Sequence, residues 1–452
     1  MQDEPSGVKV CAQCGGSLRF EEAAPSGKGT SYVKADLELD QVTAPAGRNV
    51  DRYLMLTLRT PAEVPAGEAA PTQTGRSTLN LAAVLDVSGS MSGSKIEHAK
   101  EATRQALHRL HDGDIFSLVI FSSEVKCIVE PTAIDTHTRR TVESALREIT
   151  AGGMTALDGG LKLGLKKAGK RKQETNLVLL LSDGQANVGV TDLEKIGHRA
   201  YQGRQKGFIV STIGVGSDYN EALMAEIATQ GGGRFYHVQR ADQIGPYLTG
   251  ELGEVAALAA RDLTVHLTLP NGATLFPLSA AYPASQGKGE ATVTIGDIPC
   301  DTELEIPIRL TLPAQPPGSK CRIEGTFRHR SPAGNTLTGT LNRVTVRFKE
   351  ATAFTRREGV VAPVVERVLG QMKAAHVLGV AREMARNAPA AEQQLQTHLT
   401  QLREYATLLG EERAKAETAE LEKQFTHLRA PAAAKMAVAA AHSVQRGTKT
   451  FD

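Results

Sequence analysis

Tryptophan is absent from this 452-residue sequence and aromatic residues make up only 4% of it, so a platform for stacking unpaired bases is not expected. Neither sign of charge dominates. The 52 basic and 50 acidic side chains leave a formal net charge of +2, which gives the whole chain no pull toward nucleic acid or an anionic membrane. Apolar runs are short as well: the longest aliphatic stretch, Leu177 to Leu181, falls far below the length of a bilayer span. The opening MQDEPSGVKVCAQCGG has neither the basic nor the apolar segment of a signal peptide. Cysteines 11, 14, 127, 300 and 321 are too few and too scattered for a disulfide framework. These absences lead us to expect a cytoplasmic protein that binds neither nucleic acid nor membrane.

Most catalytic signatures are missing too. HExxH does not occur, and the GxSxG elbow fails because Met91 stands between Gly89 and Gly93 where a serine is needed. Ser26-Gly27-Lys28-Gly29-Thr30 lacks the earlier glycine of a phosphate loop, having Glu22 there. Gly214-Val215-Gly216 lacks the third glycine of a dinucleotide fingerprint, with Tyr219 in its place, and reads as the end of a strand. No catalytic residue and no organic cofactor is assigned. Cys11-Ala12-Gln13-Cys14 is half of a zinc site, and zinc normally takes four ligands. Either two chains pool their pairs around Zn2+ or the pair belongs to a vestigial tail. Cys300 and Cys321 fall in predicted strands and fill a core. The basic cluster Lys166, Lys167, Lys170, Arg171 and Lys172 complements a helix end, and His108 and His111 are read as structural or solvated.

The patterns that are present divide the chain. Residues 1–30 are polar and read as a flexible tail. Residues 32–41 and 52–59 alternate apolar with polar, as strands with one buried face, and 61–74 is a loop. From Ser77 the pattern changes. NLAAVLDVS is a continuous apolar run, as in a strand covered on both faces, and helical and strand patterns then alternate to residue 257. That alternation predicts a doubly wound parallel α/β sheet, a Rossmann-like arrangement. Residues 258–350 hold strand patterns at 262–269, 290–296, 303–312, 321–329 and 338–348 separated by Gly/Pro turns, which predicts an antiparallel β-sandwich. The strands of 31–76 have no local partner, so they are expected to join that sandwich, leaving 77–257 as an insertion. Residues 351–430 read as two or three helices broken near Pro389, and 431–452 as a frayed tail.

Three loops of the α/β region carry oxygen-bearing side chains where strands end, the place such sheets bind ligands. Asp86-Val87-Ser88-Gly89-Ser90 follows the first strand, Gly152-Gly153-Met154-Thr155 starts a helix, and Leu181-Ser182-Asp183-Gly184 ends the strand 177–181. Singly, each is an ordinary cap or turn. Together, Asp86 and Asp183 offer two carboxylates and Ser88, Ser90 and Thr155 three hydroxyls, the compact oxygen donors that a hard cation takes.

These residues resemble the metal-ion-dependent adhesion site (MIDAS) of von Willebrand factor A domains. DVSGS is similar to that family's DxSxS, while GGMTALDGG and LLLSDGQ are similar to its Thr and Asp segments. The resemblance covers about residues 77–250. It implies that Ser88 and Ser90 ligate the metal directly and Thr155 directly or through water. Asp86 and Asp183 would act mostly through water and supply the negative charge. It implies Mg2+, with Mn2+ or Ca2+ as alternatives, and a free coordination position for an Asp or Glu carboxylate on a protein partner. More loosely, the whole chain resembles bacterial cytoplasmic proteins with an A domain inserted in a sandwich, and the domain pairing of inter-alpha-trypsin inhibitor heavy chains. The function expected is non-enzymatic protein binding. The alternatives are an accessory subunit of a separate AAA+ ATPase of MoxR or chelatase type, and a Mg2+-dependent hydrolase. The last is disfavoured because Ser88 stands where an aspartate-nucleophile phosphatase places its second Asp.

Overall fold

The computed structural model describes residues 29–69 and 77–447, with the backbone of residues 9–10 and 17–18. Cys11 and Cys14, and any zinc they hold, lie outside the described residues. Contacts divide the chain into two compact units. One contains strands from before residue 70 together with Ala259–Met372 and Glu404–Ala414. The other contains Lys373–Arg403 and the described residues between 77 and 258 and between 415 and 447.

In the second unit, six strands form one sheet: β1 Leu79–Asp86, β2 Ile115–Phe121, β3 Val125–Ala133, β4 Thr175–Ser182, β5 Ile209–Val215 and β6 Gly232–Val238. Their order is β6-β5-β4-β1-β2-β3. Every residue of β1 and β4 is buried, which is why those segments read as unbroken apolar runs. Each Leu or Val so covered contributes about 1.5–3 kcal/mol. Helices α1 Ser94–Arg109, α2 Thr136–Glu148, α3 Leu157–Ala168, α4 Leu193–Gln205 and α5 Glu221–Gly231 lie between the strands in the chain, and α6 Ile244–Ala256 follows β6. Asp135, Asp192 and Asn220 cap α2, α4 and α5 by accepting from backbone N–H groups three residues on. The buried Glu251 of α6 accepts from Ser211 Oγ and from Tyr236 Oη at 2.6 Å, fastening the helix to β5 and β6.

One departure concerns the sheet, which is not wholly parallel. β3 runs antiparallel to β2 at the edge. Its alternation (Val125, Cys127, Val129) is weak, and Pro131, which an edge strand tolerates, masks it. The expected tail after 430 is also corrected: α10, Pro431–Arg446, is a helix. It buries Ala434, Val438, Ala441 and His442. Arg446 donates to the Gly232 carbonyl at 2.6 Å, and Lys435 pairs with Glu221 at 3.0 Å while facing the Tyr219 ring. Small side chains make an apolar stripe only when a neighbouring surface comes close enough to meet it. The other late helices are α7 Ala362–Arg386, α8 Ala388–Ala406 and α9 Glu411–Leu428. Pro389 does lie at the break, in the first turn of α8. Within this unit Arg382 and Arg386 of α7 pair with Glu194 of α4.

The first unit is a two-sheet sandwich. Val50–Arg59 pairs antiparallel with both Glu303–Leu312 and Lys34–Leu39. The early strands therefore belong to the sheet made by the late ones, and the α/β region is inserted between them in the chain. The facing sheet is built around Leu258–Thr268 and Lys320–Arg330. The predicted strand 338–348 is two, Thr336–Thr340 and Val344–Lys349, and Gly29–Thr30 pairs in parallel with the first of them. Cys321 is buried in this core, whereas Cys300 is half-buried in a turn just past a strand. Among the described residues no helix is long and apolar enough to cross a membrane.

Candidate metal centre

The ends of β1 and β4 are neighbours in the sheet, with Leu181 opposite Leu85. Their following loops therefore open at the same edge, beside the segment that leads into α3. Backbone bonds lock the first two loops together: Gly152 N–H donates to the Val87 carbonyl at 2.8 Å and Gly89 N–H to the Gly153 carbonyl at 3.0 Å. The second and third loops are joined through Asn187. Its side-chain oxygen accepts from Thr155 N–H at 2.8 Å, and its own N–H donates to the Thr155 carbonyl at 3.1 Å. Gly93, at φ +78°, takes a left-handed turn into α1 that a side chain would strain.

The side chains converge on Gly184. A Cβ there would lie 3.1 Å from Thr155 Oγ1, 3.5 Å from Ser90 Oγ and 3.6 Å from Asp86 Oδ2. Three oxygens from two of the loops thus surround one point on the third, kept open by a glycine. Ser88 Oγ lies 3.1 Å from Ser90 Oγ, and Ser90 Oγ donates to Asp183 Oδ1 at 2.7 Å. Asp86, Ser88, Thr155 and Asp183 are buried while Ser90 is exposed, so the cluster faces solvent through one side. Asp86 is held rigidly: Oδ1 accepts from Ser88 N–H at 2.8 Å and Oδ2 from Ser182 Oγ. Burial pushes the Asp86 carboxyl above its ordinary value, while the Ser182 and Ser88 hydrogen bonds pull it down. The donor set fits a hard divalent cation in kind, being all oxygen. Among the described residues no three His, Cys, Asp or Glu side chains gather as a group that could hold a metal ion.

Residues 80–249 match the family described as von Willebrand factor type A domain. This region is a von Willebrand factor type A domain. Such domains commonly mediate protein–protein interaction. The chain is 27% identical over 244 residues to the Escherichia coli (strain K12) protein YfbK, a match of 52% of this chain and 42% of that one. It is 30% identical over 208 residues to the Homo sapiens inter-alpha-trypsin inhibitor heavy chain H3, 41% of this chain and 23% of that. It therefore spans less than half the length of these two relatives. Among solved structures, a von Willebrand factor type A protein from Catenulispora acidiphila superposes with a TM-score of 0.65 at 18% identity, covering 94% of this chain and 99% of that one. The ArnB paralog VWA2 from Sulfolobus acidocaldarius does so at 0.58 and 19%, covering 92% and 100%. That likeness of fold extends past the A domain to the sandwich and the C-terminal helices.

Sequence reasoning missed three residues around the A-domain cluster. Ser182 and Asn187 orient Asp86 and Thr155, and Lys95 in the first turn of α1 makes an ion pair with Asp183 Oδ2. Ser182 sat inside the quoted LLLSDGQ, and Lys95 is the second residue of the helix that the DVSGS loop feeds, so position offered a signal for both. The basic cluster proves largely structural. Lys167 and Lys170 pair with Glu130, and Lys172 covers the Phe208 ring. His108 pairs with Glu143 at 3.2 Å.

Proposed function

We propose that the protein is a non-enzymatic binding module that holds Mg2+ at Asp86, Ser88, Ser90, Thr155 and Asp183 and presents it to a carboxylate of a protein partner. The observation that carries the reading is the set of oxygens around Gly184. Ser88, Ser90 and Thr155 bring neutral donors, so few anions touch the ion. Asp86, anchored by Ser182 and Ser88, and Asp183, hydrogen-bonded to Ser90, hold charge close by and fix the hydroxyl orientations. When bound, the ion supplies an electrophilic coordination position for an Asp or Glu oxygen. Met154, half exposed next to Thr155, places an apolar surface at the rim.

The test is capture by the full chain, wild type against Asp86→Ala, each in Mg2+ and in EDTA. Capture confined to the wild type in Mg2+ is expected. An identical captured set in all four conditions would sink the reading. A separate AAA+ ATPase, if it is the partner, would appear in the same experiment.

A further inference from the structure

The A-domain cluster contains a cation of its own. Lys95 Nζ pairs with Asp183 Oδ2; the Asp183 side chain is wholly buried and that of Lys95 is 26% exposed. The lysine is lodged between two loops rather than free in solvent. A Cβ on Gly216, just past β5, would lie 3.5 Å from Lys95 Cε and 3.6 Å from its Nζ. The carboxylate is thereby divided, one oxygen to Ser90 and the other to the ammonium.

We propose that Lys95 is a built-in competitor of the divalent cation, neutralising Asp183 in the metal-free chain and ceding its hold on that carboxylate when the ion enters. The proposal rests on the metal-binding reading above. Two buried carboxylates, Asp86 and Asp183, are costly to hold together without a positive charge. An ammonium on a flexible stem supplies that charge without a fixed coordination geometry, and it can swing aside without moving the backbone. With Lys95 in place the cluster carries one net negative charge instead of two, so the attraction for Mg2+ is weakened. The device keeps the empty fold intact and sets the affinity for the ion lower than the five oxygens alone would give.

The experiment is Mg2+ titration by calorimetry on the full chain, paired with thermal melts in EDTA and in saturating Mg2+, for wild type, Lys95→Met and Lys95→Arg. Lys95→Met is expected to bind Mg2+ at least about tenfold more tightly, about 1.4 kcal/mol, and to melt below wild type in EDTA. Saturating Mg2+ should close that gap, because the ion replaces the lost charge. Lys95→Arg keeps the charge and should stay close to wild type in EDTA. Lys95→Gln serves as a second neutral variant should Lys95→Met not fold. Mg2+ affinity unchanged or weaker in the folded neutral variants overturns the proposal, since Lys95 would then only orient Asp183. If wild type and neutral variants alike take up no Mg2+, the metal reading itself falls and this one with it.

Discussion

Arg199 on α4 grips Asp158 on α3 with two hydrogen bonds, Nε to Oδ1 at 2.6 Å and Nη2 to Oδ2 at 3.0 Å. Asp158 lies three residues after Thr155, so this fork clamps the first turn of α3, the helix that follows Thr155. The Asp158 side chain is 10% exposed, and removing the guanidinium leaves a largely buried carboxylate unpaired. Arg199→Met is expected to cost about 2–4 kcal/mol, read as a lower urea midpoint. Arg199→Lys, which keeps the charge but loses the fork, should recover only part of it. A midpoint equal to wild type for Arg199→Met would show that the clamp is idle.

Gly184 gives a direct test of the convergence point. Alanine there places a methyl 3.1 Å from Thr155 Oγ1 and close to Ser90 and Asp86, in the space an ion would use. Gly184→Ala should weaken Mg2+ binding at least about tenfold, the equivalent of about 1.4 kcal/mol, with little change in the melting temperature in EDTA. Mg2+ titration of the variant decides it, and affinity equal to wild type would move the ion away from this point.

In the sandwich unit, Asp40 sets a pH dependence. Burial raises its carboxyl from the usual 3.8 to about 7, against the pull of Arg52 and the hydrogen bond from Tyr405. The folded pKa exceeds the unfolded one, so the folded chain binds this proton more tightly. Its contribution is fully present below about pH 4 and is lost as pH rises through about 7, on the order of 4 kcal/mol in total. Asp40→Asn removes the titration. Urea midpoints at pH 5 and pH 8 should show the variant gaining on wild type as pH rises. A constant difference between the two proteins would refute the assignment.

Val438 tests whether α10 is integral to the α/β unit. It is fully buried, in a stripe with Ala434 and Ala441. Val438→Ala should lower stability by about 1–3 kcal/mol, seen in chemical denaturation of the full chain. An effect below about 0.5 kcal/mol would mean that the helix adds nothing to the unit.

Much of the architecture was legible because burial on both faces writes itself as an apolar run. β1 and β4 could be read from composition alone, and the three oxygen-bearing loops followed from their position at the strand ends. β3 was not legible, because an edge strand carrying Pro131 shows only half a pattern. α10 was not legible either, because alanines declare no face until a surface is set against them.

The sequence by itself determined the alternation of strands and helices, the oxygen-bearing residues of three loops, and the return of the chain to the sandwich after residue 258. Those are consequences of local periodicity and of turn chemistry, which act between near neighbours. Only the tertiary structure decided that Ser182 steadies Asp86, that Lys95 answers Asp183, and that the missing side chain of Gly184 leaves the hollow open. Each of these depends on distances of a few ångströms between segments far apart in the chain, and such distances are set by the packing of the whole sheet.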